Sequence, residues 1–259
     1  MNSARDDILA GIRRGLGRSL VPAETAAELA ERVAAHRRNL VPARAAGLDR
    51  AGRIDLFVAM AEEVQTTVAR VASRDDVPGE VARYLAAENL PAELVMAPDP
   101  SLDAIPWDER PLLQIRRGRA EPGDAVSLTP CLAAVAETGT LLLVSGASTP
   151  TTLNFLPDTH IVVLHAGRVV ASYEDGWDLI RRTRSQDGPL PNPPPQAGEG
   201  VRHASGGRVG ASGPEAWPRT VNLITGPSRT GDIEQRIQLG AHGPRRLHVV
   251  LVEDAPADE

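Results

Sequence analysis

Ile161-Val162-Val163-Leu164 and Val249-Val250-Leu251-Val252 are unbroken aliphatic runs, with no polar residue at alternate positions. A strand with one face in water alternates, whereas a strand covered on both faces does not. These runs therefore predict central strands of a mostly parallel sheet in a layered α/β domain. Leu141-Leu142-Leu143-Val144 reads the same way. Outward from these, strands are predicted over residues 93–97, 112–116, 125–128, 140–144, 160–164, 168–171, 220–224 and 245–252. Helices are predicted between them: one opened by Pro78 and carrying Val81, Leu85 and Leu90, one over 174–184, and one over 229–239.

The N-terminal part has a different rhythm. Ile8, Ile12 and Leu16 share a helical face, and Ile54, Phe57, Ala61, Val64, Val68 and Val71 recur at spacings of three and four, predicting a helix over residues 50–71. Residues 1–72 are read as a helical region and 73–259 as the α/β domain. Residues 185–218 interrupt that domain with seven Gly and seven Pro, including Pro193-Pro194-Pro195. So little apolar surface cannot offset the entropy of ordering, so this stretch is expected to be a disordered insertion in a surface loop.

Composition excludes several functions. The net charge of -6 gives no attraction to nucleic acid. No aliphatic run approaches the length of a membrane span, and the acidic start Asn2-Ser3-Ala4-Arg5-Asp6-Asp7 lacks an apolar signal core, so a cytoplasmic protein is expected. Cys131 is the single cysteine, too few for a disulfide or a thiolate-held cluster, and all 28 basic residues are arginine. The lysine chemistry of Schiff bases and phosphate loops is thereby absent.

Two turns carry the candidate chemistry. Gly226-Pro227-Ser228-Arg229-Thr230-Gly231-Asp232 follows an apolar strand and precedes the helix predicted over 229–239. Unpaired N–H groups at such a helix start, with the Arg229 guanidinium, suit a phosphate or carboxylate. Ser228 or Thr230 capping the helix, with Asp232 facing its dipole, accounts for the same residues structurally. The second turn, Glu137-Thr138-Gly139-Thr140, offers a carboxylate as base or nucleophile and two hydroxyls for a ligand or for the turn itself. His242, in the Gly240-Ala241-His242-Gly243-Pro244 loop, is a further proton carrier. No histidine pair has metal-ligand spacing, and no dinucleotide fingerprint is present.

Ala136-Glu137-Thr138-Gly139-Thr140, Leu156-Pro157-Asp158-Thr159-His160-Ile161-Val162-Val163, the 226–234 motif and the 240–244 loop together resemble the lactate-utilisation protein C family and its LUD domain. The resemblance spans roughly residues 77–252, with the 185–218 insertion as a departure. It implies a layered, mostly parallel α/β sheet like that of the ribose-phosphate isomerase and CoA-transferase group, with an N-terminal helical extension. It further implies a non-redox subunit of a cytoplasmic assembly that oxidises L-lactate to pyruvate. The iron–sulfur clusters would sit on partner subunits, with no cofactor in this chain. Glu137 and His242 are the catalytic candidates. Thr138, Gly139, Thr140, Gly226, Ser228, Arg229, Thr230 and Asp232 are the candidates for binding a small carboxylate or phosphate. The competing expectation is a stand-alone enzyme of the isomerase/CoA-transferase fold acting on a phosphorylated or CoA-linked metabolite.

Overall fold

The structure, a computed structural model, describes residues 4–17, 21–39, 41–185, 218–230, 238–240 and 242–253. The insertion expected over 185–218 lies almost wholly outside the described residues. The chain forms two compact units, Met1–Leu40 and Val41–Glu259. The first holds helices α1 (Ala4–Gly15) and α2 (Ala23–Ala35); Asp6 and Asp7 begin α1 and Arg13 and Arg14 end it, each sign facing the favourable pole of the helix dipole.

The second unit begins with α3 (Arg50–Glu63), β1 (Thr67–Val71), α4 (Val77–Ala87), β2 (Glu93–Met96), α5 (Pro100–Asp103), β3 (Gln114–Arg117) and β4 (Val126–Pro130). It continues through β5 (Ala133–Val135), β6 (Thr140–Val144), α6 (Thr152–Phe155), β7 (Thr159–His165), β8 (Val169–Val170) and α7 (Tyr173–Ser185). The last elements are β9 (Val221–Ile224), β10 (Arg229–Thr230), β11 (Gln238–Leu239) and β12 (Arg246–Val252). Six strands make an all-parallel sheet in the order β1-β12-β7-β4-β2-β3. A smaller mixed sheet runs β8-β5-β6-β9, and β10 pairs antiparallel with β11.

The central runs lack alternation because both faces of the large sheet are covered. Ile161, Val163 and Val250 pack with Val81 and Leu85 of α4, whereas Val162, Leu164, Val249 and Leu251 pack with Ile54, Phe57 and Ala61 of α3 and with Leu141 of the small sheet. Ile180 of α7 covers the outer face of the small sheet, against Ala133 and Leu142. The layers are α4, large sheet, α3 with small sheet, then α7. Each aliphatic side chain buried there contributes about 1.5–3 kcal/mol relative to exposure.

Two expected helices are corrected. The helix predicted over 50–71 ends at Glu63, and residues 67–71 are β1, the edge strand beside β12. The stop is a Schellman motif: Gln65 is left-handed (φ 70), its N–H bonds Glu62 O at 2.9 Å, and the Thr66 N–H bonds Ala61 O at 3.0 Å. Glycine usually marks this position, and a glutamine hides it from sequence reading. The helix predicted over 229–239 is instead extended at both ends, with Arg229 paired to Leu239 and Thr230 to Gln238. Ser228 prolongs the pairing, accepting from the Gly240 N–H at 2.9 Å and donating to Pro244 O at 2.8 Å. Once both ends are committed to a ladder, no helix can start at Arg229. Ala133–Val135, too rich in alanine to register as a strand, forms β5 between β6 and β8.

Candidate functional site

The 137–140 and 226–229 turns come together, through the end of α3. Gly139 (φ 66) lies so close to this helix that a Cβ there would overlap the backbone of Met60 and Ala61; a Cβ at Gly226 (φ 79) would lie 2.7 Å from Val64 O. Both glycines are therefore demanded by conformation and by contact with α3. Arg229 Nη2 donates to Val64 O at 2.5 Å, satisfying a carbonyl left open at the helix end. The turns are joined by hydroxyls: Thr140 Oγ1 lies 2.6 Å from Thr225 Oγ1, 2.7 Å from Thr138 Oγ1 and 2.8 Å from the Tyr173 hydroxyl. Thr138 and Thr140 thus bond each other and Tyr173.

Glu137, in the β5–β6 hairpin turn, is 4% exposed. Arg44 donates to its backbone carbonyl at 3.1 Å, and among the described residues its Oε2 is buried without a hydrogen-bond partner. A carboxylate so placed is a costly group in a packed structure.

A cavity of about 270 Å³ opens beside Gly226, Ser228 and Arg229, which line it with His242 and with two residues sequence reading did not select, His160 and Asn154. Its floor is His160 on β7, fully buried, with Nε2 2.8 Å from Thr129 Oγ1 on β4. Burial holds this imidazole down to about 3, so it is neutral at physiological pH. Among the described residues His160 Nδ1 is buried without a hydrogen-bond partner. The Ser228 hydroxyl accepts from the His242 N–H at 3.3 Å, and the His242 residue is exposed at the rim. Thr230 takes part through its strand backbone, while Asp232 lies outside the described residues. A neutral imidazole, a hydroxyl and a rim arginine can orient a small polar or anionic molecule. The signal for His160 in sequence was a histidine at the start of an otherwise apolar strand.

A parallel sheet covered on both faces, by helix on one side and by helix and a smaller sheet on the other, defines a layered α/β protein. More particularly, residues 54–195 and 208–252 match the LUD domain, and the chain belongs to that family. It is 30% identical over 190 residues to a lactate utilization protein C of Deinococcus radiodurans, covering 70% of each chain. It is 28% identical over 120 residues to a lactate utilization protein C of Bacillus subtilis, covering 46% of this chain and 39% of that relative. Among solved structures it is similar to a DUF162 family protein from Deinococcus radiodurans, with a TM-score of 0.51 and 22% identity over 79% of this chain and 99% of the other. At that identity the likeness speaks for the fold. Among the described residues no helix is long and apolar enough to cross a membrane.

Proposed function

We propose that this chain serves lactate utilisation as a non-redox subunit of a cytoplasmic assembly that oxidises L-lactate to pyruvate. The observation that carries the reading is the 30% identity across 70% of the Deinococcus lactate utilization protein C, within a LUD domain match. In this reading the electron carriers are iron–sulfur clusters on partner subunits, as the family resemblance implies; Cys131 alone supplies no cluster ligand set in this chain. Burial pushes that thiol up to about 12, so it stays protonated.

In this reading the cavity beside Ser228 holds a small carboxylate or phosphate. Arg229 supplies positive charge at the rim, His160 offers its unpartnered ring nitrogen inside, and the Ser228 hydroxyl fixes the loop that carries His242. The 137–140 turn keeps the cavity's shape by gripping the end of α3. Deletion of the gene is expected to abolish growth on L-lactate while leaving growth on pyruvate intact. Return of growth with the native gene, but not with Arg229→Gln combined with His160→Leu, ties the role to the cavity. Normal growth of the deletion strain on L-lactate contradicts the reading.

A further inference from the structure

The first compact unit, Met1–Leu40, keeps its apolar side chains in water. Ile8, Leu9, Ile12 and Leu16 of α1 and the residue after it, and Leu29 and Val33 of α2, are all exposed, and neither helix has a buried residue. Helices of 12 and 13 residues are marginal in water by themselves, and most of a helix's stability in a protein comes from packing an apolar face. These two faces therefore call for a surface to cover them. The LUD match begins at residue 54, so they belong to a part of the chain outside the family's domain.

The charges on α1 say what fits there. Ile8, Ile12 and Leu16 recur at a spacing of four and, with Leu9 beside them, form a stripe along the helix. Asp6 and Arg13 are seven residues apart, two helical turns, so both stand on the edge of the stripe next to Leu9. The opposite edge carries Ala4 and Gly11 and no charge. Two copies of α1 related by a two-fold axis perpendicular to the helices run antiparallel, and each edge then faces the same edge of the other copy. Asp6 of each copy comes opposite Arg13 of the other, giving two ion pairs. The same alignment sets Ile8 level with Gly11 of the second copy, where no side chain obstructs it. Parallel pairing turns the charged edge toward Ala4 and Gly11 and forms neither ion pair. A lipid surface suits the unit less well, because Glu24, Glu28 and Glu31 of α2 would be repelled by anionic headgroups.

We propose that α1 is a self-complementary docking surface whose occupant is α1 of a second copy of this chain, packed antiparallel through Ile8, Ile12 and Leu16 with Asp6 and Arg13 paired across the two-fold axis. So short a seam buries less than a standard interface, so the dimer is weak and its formation depends on concentration. The surface is separate from the cavity beside Ser228 and from the role in lactate utilisation; either can fail without the other.

The test uses the full chain in sedimentation equilibrium over a concentration series reaching about 300 µM, high enough for a weak interface. A monomer–dimer equilibrium is expected. Ile8→Ser combined with Ile12→Ser should weaken it roughly tenfold or more, whereas Leu112→Ser, at an exposed leucine of the second unit, leaves it unchanged. Asp6→Arg alone and Arg13→Asp alone each set like charges opposite one another, and each should weaken self-association roughly threefold or more. Mixing these two variants in equal amounts restores unlike charges at both contacts, so the mixture should associate roughly threefold more tightly than either variant by itself. That rescue belongs to the antiparallel pairing, since a change in helix stability would weaken the mixture as much as its components. A chain monomeric throughout the series, association indifferent to the Ile8 and Ile12 changes, or a mixture no tighter than its components each overturns the proposal. So does a chain monomeric in solution that binds phosphatidylglycerol vesicles through Ile8 and Ile12, which would assign the face to lipid.

Discussion

At the residue scale, the two glycines sequence reading assigned to a ligand serve the end of α3. Gly139→Ala places a methyl group into the Met60–Ala61 backbone at a left-handed φ, and is expected to cost at least about 2 kcal/mol in urea unfolding. Gly123, also left-handed at φ 103 but with open space around it, is the control: Gly123→Ala should cost about 1 kcal/mol. Equal losses at the two sites would mean that contact with α3 adds nothing. The buried histidines set a pH dependence. His248 stacks on Tyr84 with ring centroids 3.9 Å apart and lies 2.8 Å from Thr67 Oγ1, and burial lowers it to about 4, as it lowers His160 to about 3. Unfolded, both take protons near pH 6.5, so below that pH the unfolded chain binds more protons than the folded one. Their contribution is fully present above about pH 6.5 and is lost as pH falls toward 4, by up to about 1.4 kcal/mol per pH unit for each histidine. Urea midpoints from pH 7 to 5 should drop, and less steeply in His248→Gln; a flat profile contradicts the burial of both rings.

At the scale of elements, the strands were legible where both faces are covered, because Ile161 to Leu164 and Val249 to Val252 must be apolar at every position. The end of α3 was not, since periodicity ran on through Val64, Val68 and Val71 while the stop was written in the conformation of Gln65. Gln65→Gly is therefore expected to stabilise the protein by about 1 kcal/mol, relieving a left-handed glutamine at the helix C-terminus; destabilisation would show that the Gln65 side chain itself matters. The 226–230 turn was found by sequence but given the wrong continuation. A glycine after an apolar strand precedes a helix or a ribbon equally well, and the bonds of Ser228 to Gly240 and Pro244 decide for the ribbon. His160, although it lies in the 156–163 motif, and Asn154 were not selected as site residues, because only the β4–β7 pairing and α6 bring them to the cavity.

At the scale of the whole molecule, the family was legible because four short motifs keep their order across a long stretch, and three of them serve packing in this structure. The 137–140 and 226–229 turns hold α3 against the sheet, and the 240–244 loop holds the ribbon. The single thiol and the complete lack of lysine leave this chain without a thiolate ligand set or a Schiff-base amine; the proposed reading has the chain bind and position while electrons travel on its partners. The most direct measurement offers the purified chain L-lactate with an artificial electron acceptor, then repeats the assay on the assembly captured at native expression level. The account predicts no turnover by the chain alone and lactate-dependent reduction by an assembly that brings iron with it. Sustained turnover by the isolated chain would contradict it.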